Sequence, residues 1–253
     1  MTADQEATDT ANSADVLATA DRTHRWGFGA FLSVFAVFVL SAVVIGALVG
    51  AIAPDSINSP TVTVVGTMVP TVLATAVALL LTKLRGNGPK LDLRWSMNRE
   101  DLRVGLKWGG IGLLSTTVAA FLWTNFVGEE NASSAVGKLV ENQRMPIAAA
   151  LAMFFFVWLI GPICEEIIYR GLLWGALERL QWGRWAVFGL TTVIFAVSHL
   201  EPLRTSLLLV IGIPIGLARL FTGRLGASIV AHQVNNFLPA VAMLLIAIGV
   251  MPA

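Results

Sequence analysis

Charge is what this sequence has least of. Only 13% of its 253 residues are Asp, Glu, Lys or Arg, against about 25% in an ordinary soluble domain. Together with 56% apolar residues and a mean hydropathy of +0.75, that shortage excludes a water-soluble globule and points to a membrane protein. Cysteine is nearly absent. The single Cys164 excludes an internal disulfide and reads as a small buried apolar side chain rather than a nucleophile. Net charge is only +1, so no excess of one sign exists to hold nucleic acid.

Long apolar runs make up most of the chain. Residues 1–25 are polar, with five acidic residues and no hydrophobic period, and read as a disordered cytoplasmic tail. Trp26 to Ala53 carries no charge and is too long for the ~7–15-residue core of a signal peptide, so it reads as a first membrane span. Further spans are expected at 61–82, 108–128, 146 to about 180, 185–200, 205–221 and from 225 onward. The expected fold is therefore all-α, a polytopic transmembrane helical bundle of about seven spans. Gly161-Pro162 should kink or break the fourth. With the N-terminus inside and connections alternating, every Lys and Arg except Lys138, Arg144 and Arg204 falls on the inner side. This bias predicts a multi-pass protein of the cell membrane with a cytoplasmic N-terminus. The basic connection 83–107 is explained by the same bias. The chain divides into the tail 1–25, N-terminal spans and basic loop at 26–144, and a membrane domain at 145–253 whose four helices form the expected catalytic core.

Against so little charge, three polar points stand out. Glu165-Glu166 ends the uncharged run Met145–Cys164. His199 closes Phe195-Ala196-Val197-Ser198-His199. His232 and Asn236 lie four apart in the last span. A charged group at membrane depth costs roughly 2.5–3.5 kcal/mol on insertion scales, so such residues face a protein interior and have a purpose. Glu166 and Arg170 share a helix face and can pair internally, whereas Glu165 points about 100° away. Glu165 and His199 are equidistant from Trp182 in the Gln181-Trp182-Gly183 turn, so a helical hairpin should bring them level. His232 fits less neatly. At helical rise it lies roughly 10 Å nearer the cytoplasmic end than His199, unless the α-hairpin around Trp182 projects into the cytoplasm or the sixth helix is shortened around Pro214. Phe195 reads as packing and Asn235 as a polar neighbour of Asn236.

Such a set can polarise water. Glu165 can act as general base, His199 can hold the water or a metal, and His232 and Asn236 can donate to an oxyanion. Alternatively Glu165, His199 and His232 could ligate a divalent metal such as zinc, since two histidines and one carboxylate make a known catalytic set. The zinc-protease signature of two histidines four apart around a glutamate is absent. A non-catalytic membrane partner, such as an immunity or chaperone protein, would use the same residues only for helix packing. A transporter is disfavoured by the lack of paired halves.

Three short motifs turn these points into a resemblance. Glu165-Glu166-Ile167-Ile168-Tyr169-Arg170 matches Glu-Glu-x-x-x-Arg, Phe195 to His199 matches Phe-x-x-x-His, and His232 to Asn236 matches His-x-x-x-Asn. In that order they resemble the CPBP family of intramembrane proteases, also called the ABI or CAAX-protease family, over roughly residues 145–240. The resemblance implies a membrane (metallo)endopeptidase similar to the type II CAAX prenyl endopeptidases, acting on a peptide or protein substrate, which can be prenylated, within membrane lipid. It implies that Glu165 and His199 activate water, that His232 and Asn236 form an oxyanion site, and that Glu166 and Arg170 support them. A bacteriocin-immunity or scaffold role is also found in the family. The first three spans carry no motif and inherit no role.

Overall fold

The computed structural model describes residues 24–128, 134–141 and 144–251. The expected disordered tail falls outside these residues apart from its last two. Among the described residues, seven principal helices stand out: α1 (Phe28–Ile52), α2 (Pro60–Arg85), α3 (Arg99–Val127), α4 (Ile147–Arg179), α5 (Arg184–Ser198), α6 (Thr205–Thr222) and α7 (Leu225–Ala247). Six are long and apolar enough to cross a membrane. The exception is α5, with 15 residues. At about 1.5 Å per residue it rises roughly 22 Å, short of the ~30 Å hydrocarbon layer. The expected bundle of about seven spans is thus six long helices and one short one.

Helix ends follow local chemistry. Ser59 caps α2 by accepting the Val62 N–H, with Pro60 at the first helical position. Asn98 and Asp101 form a reciprocal capping box, each side chain accepting the other's backbone N–H at 2.9 and 3.0 Å. That box starts α3 at Arg99, nine residues before the expected Trp108, so the basic stretch is partly helical. Asp101 is fully buried and also pairs with Arg224 at 2.7 Å, which docks the start of α3 on the α6–α7 turn. The hydrogen bond to Asp101 holds the Arg224 guanidinium above its ordinary pKa. Gly223, at φ 66°, closes α6 in the left-handed conformation that glycine adopts without a steric cost. In α2, Thr67, Thr71 and Thr75 each donate to the carbonyl four residues back, which satisfies hydroxyls that have no water partner in hydrocarbon. The expected polar loop 129–144 contains a short helix, Ala135–Glu141.

The bundle closes where α3 crosses α7. A methyl group at Gly105 would lie 2.5 Å from Val230 Cβ and 2.8 Å from the Ala227 carbonyl. At Gly109 it would lie 2.7 Å from Val234 Cβ, and at Gly112 2.9 Å from Pro214 Cγ in α6. Small residues let membrane helices approach backbone to backbone. Gly105→Ala is therefore expected to lower the melting temperature in detergent, by overpacking worth about 1–3 kcal/mol. Gly110 faces open space, so Gly110→Ala should leave stability equal or raised by up to about 1 kcal/mol through helix propensity.

Candidate active site

The Glu165-Glu166 pair sits in a helix that is not regular. Two wide π-helical turns, Phe156–Ile160 and Ile167–Leu173, flank it within α4. Pro162 accounts for the first. In the wide register the Gly161 N–H reaches the Phe156 carbonyl, five residues back. The next pair in that register would be Pro162 to Val157, and proline has no N–H to give. Asn236 in α7 supplies the missing donor, its Nδ2 lying 3.2 Å from the Val157 oxygen. Gln233 adds a second link, from Nε2 to the Leu159 carbonyl at 3.3 Å. The expected kink at Gly161-Pro162 is thus a widened turn, held by side chains of α7, and the helix continues through it.

Glu166 and Arg170 pair as their spacing predicts. Both are fully buried, and Oε1 of Glu166 accepts from Arg170 Nη1 at 2.9 Å. The same carboxylate lies 2.9 Å from His232 Nδ1. Arg170 also donates to the Gly212 carbonyl at 3.3 Å and lies 4.4 Å above the Phe195 ring, a further outlet for its charge. Because Glu166 is engaged with a guanidinium, it acts as an ionised acceptor, so His232 Nδ1 carries the proton. Its Nε2 then faces the second carboxylate: Glu165 Oε2 lies 3.8 Å away. Glu165 is set apart from its neighbour by access, with 29% of its side chain exposed and no ion pair closer than that histidine.

His199 stands at the end of α5. Its Nδ1 lies 2.7 Å from the Phe195 carbonyl, which directs Nε2 away from its own helix. Phe195 is the common neighbour: its ring meets Tyr169, His199 and His232 edge-on, with centroids 5.3, 4.7 and 5.8 Å apart. Its expected packing role holds, and it organises both histidines. The hydroxyl of Tyr169 bonds to Ser198 at 2.5 Å, tying α4 to the residue before His199. Asn235 is buried and accepts from Thr116 of α3 at 3.0 Å. Cys164 is buried, as expected.

The depth mismatch expected for His232 is closed, since His232 and Glu166 touch. The backbone carbonyl of Arg94 accepts the Leu225 N–H at 3.1 Å while its guanidinium reaches Glu178 at 2.9 Å. Arg94 thus ties the C-terminal end of α4 to the start of α7.

Among the described residues, no three His, Cys, Asp or Glu side chains converge so as to hold a metal ion. His232 engages Nδ1 with Glu166 and His199 engages Nδ1 with the Phe195 carbonyl, which leaves each Nε2 free, the orientation such partners give a metal-ligating histidine.

Sequence reasoning missed the direct bond between Glu166 and His232, and it missed Gln233 and Tyr169. Gln233 carried a usable signal: it lies three residues before Asn236, on the same helical face. Tyr169 lies four residues after Glu165 and is the one tyrosine of the chain.

Residues 147–238, which span α4 to most of α7, match the family described as type II CAAX prenyl endopeptidase, Rce1-like. Among curated proteins, the chain is similar to the membrane-embedded CAAX protease MroQ of Staphylococcus aureus (strain USA300), at 27% identity over 65% of this chain and 67% of that protein. No solved structure matches. The likeness to the type II CAAX prenyl endopeptidase family thus lies in residues 147–238, the stretch that holds Glu165, Glu166, Arg170, His199, His232 and Asn236.

Proposed function

We propose that the chain is an intramembrane endopeptidase that hydrolyses a peptide bond in a membrane-associated, hydrophobic or prenylated peptide. The observation that carries this reading is the pair of unequal carboxylates. Glu166 is consumed in a buried ion pair, while Glu165 remains partly accessible beside the free edge of His232. In the proposed reaction a water held between Glu165 and Nε2 of His199 gives its proton to Glu165. The hydroxide attacks the scissile carbonyl, and the electron pair of the C=O bond moves to oxygen. The oxyanion is met by His232 Nε2, the ring edge that faces Glu165, and by the second N–H of the Asn236 amide. Collapse breaks the C–N bond, and Glu165 returns its proton to the leaving amine.

The test is cleavage by the purified protein in liposomes. The substrates are a fluorogenic farnesylated tail peptide and a mixed library of membrane peptides, each with and without a chelator. Cleavage is expected, with His199→Gln and His232→Gln each reducing kcat by about 10²–10⁴-fold. Loss of wild-type cleavage on chelation would show that a metal completes the site. A folded wild-type protein that cleaves none of these substrates would overturn the reading in favour of a non-catalytic membrane partner.

A further inference from the structure

The second wide turn of α4 has a latch of its own. At its C-terminal end the Trp174 N–H is shared between the Tyr169 carbonyl, five residues back, and the Gly171 carbonyl, three back, and so passes over Arg170. Beyond it α4 returns to four-residue spacing over Trp174–Arg179. A step from five to four passes over one carbonyl, and counting gives Arg170. That oxygen does have a donor: Nε of Arg219, from α6, at 3.0 Å.

Arg219 is an unusual donor to find there. It is only 2% exposed, inside a helix long and apolar enough to span the membrane. Among the described residues no carboxylate forms an ion pair with it. Its Nη1 is buried with no hydrogen-bond partner among them, and its charge rests 5.3 Å above the Trp174 ring. Burying a guanidinium with so few partners is costly, and intramembrane ionisable residues of this kind serve function by default. The carbonyl it holds belongs to the residue whose side chain holds Glu166, and Glu166 in turn holds His232.

We propose that Arg219 is a positioning residue of the active site. It locks the Arg170 backbone at the π-to-α step, and through Arg170 and Glu166 it fixes the orientation of the His232 ring. No motif of the sequence includes it.

Glutamine provides the discriminating substitution. Its amide nitrogen is attached to Cδ, as Nε is in arginine, so Arg219→Gln keeps an N–H where the latch needs one and removes the charge. Arg219→Met keeps the length and removes the donor. The activity arm rests on the proteolytic reading above. There, Arg219→Met should lose about tenfold or more in kcat at unchanged KM, in the range seen when supporting residues are removed. Arg219→Gln should stay within about threefold of wild type, and the methionine effect should vanish in a Glu166→Gln background.

A second arm needs no substrate. NMR of isotope-labelled histidine should show His232 as a single ordered ring with a protonated Nδ1 in wild type and Arg219→Gln. That signal should be lost or broadened in Arg219→Met. If wild type cleaves nothing, the proteolytic reading fails and the NMR arm alone decides the latch. If Arg219→Met does not fold, Arg219→Gln decides it. A glutamine variant that is folded but has lost the His232 signal overturns the proposal, as does a methionine variant that keeps it. Additive losses with Glu166→Gln overturn it equally.

Discussion

Glu166→Gln is expected to destabilise the protein by about 3–5 kcal/mol, the cost of leaving one member of a buried ion pair alone. The amide preserves shape and volume, so packing does not contribute. The loss comes from Arg170, fully buried, which would keep the Gly212 carbonyl and the face of Phe195 but no counter-charge. His232 would lose the carboxylate that sets its ring as well. The measurement is thermal or denaturant unfolding in a fixed detergent. A second variant apportions the loss: Arg170→Met alone should cost a similar amount, and the double variant less than the sum of the two, because removing both charges removes the uncompensated one. Equal stability of Glu166→Gln and wild type would show that this ion pair does not hold the site together.

The neighbouring residue should behave in the opposite way. Glu165→Gln is expected to leave the unfolding curve in place and to reduce cleavage by about 10²–10⁴-fold, the usual worth of a general base. Its side chain is 29% exposed and its nearest ionic partner is 3.8 Å away, so little of the fold depends on its charge. Glutamine retains the size and polarity of glutamate but cannot accept a proton from water. KM for the peptide substrate should change little, since the loss falls on the chemical step. If Glu165→Gln retained wild-type kcat, the proton acceptor would have to be another group, and the proposed roles of Glu165 and His199 would fall together. Adjacent positions in one helix would thus separate stability from chemistry.

The difference between these two glutamates shows where sequence reading stops. Both are carboxylates at the end of the same apolar run. Helical spacing alone paired Glu166 with Arg170, because residues four apart share a face. Spacing could not show that Glu166 also touches His232, 66 positions away. Nor could it show that a wide turn at Pro162 rotates the pair relative to a regular helix. The proline was visible as a disruption, but whether a helix kinks, breaks or widens depends on what the neighbouring helix offers to the freed carbonyl, and here α7 offers Asn236 and Gln233.

What the sequence by itself determined was therefore local and compositional: an all-helical membrane bundle, the order of its helices, and the identities of the polar residues placed in apolar surroundings. These follow from hydropathy, from residue spacing along a helix and from the cost of charge in hydrocarbon, none of which needs long-range contact. Tertiary structure decided the rest. It selected which carboxylate is buried and which stays accessible, placed His232 against Glu166 at the depth that simple rise counts left open, and brought Arg219 to the carbonyl skipped by α4. Each of those outcomes depends on how helices distant in sequence are rotated and offset against one another, and that is set by close packing such as α3 on α7 rather than by any local preference.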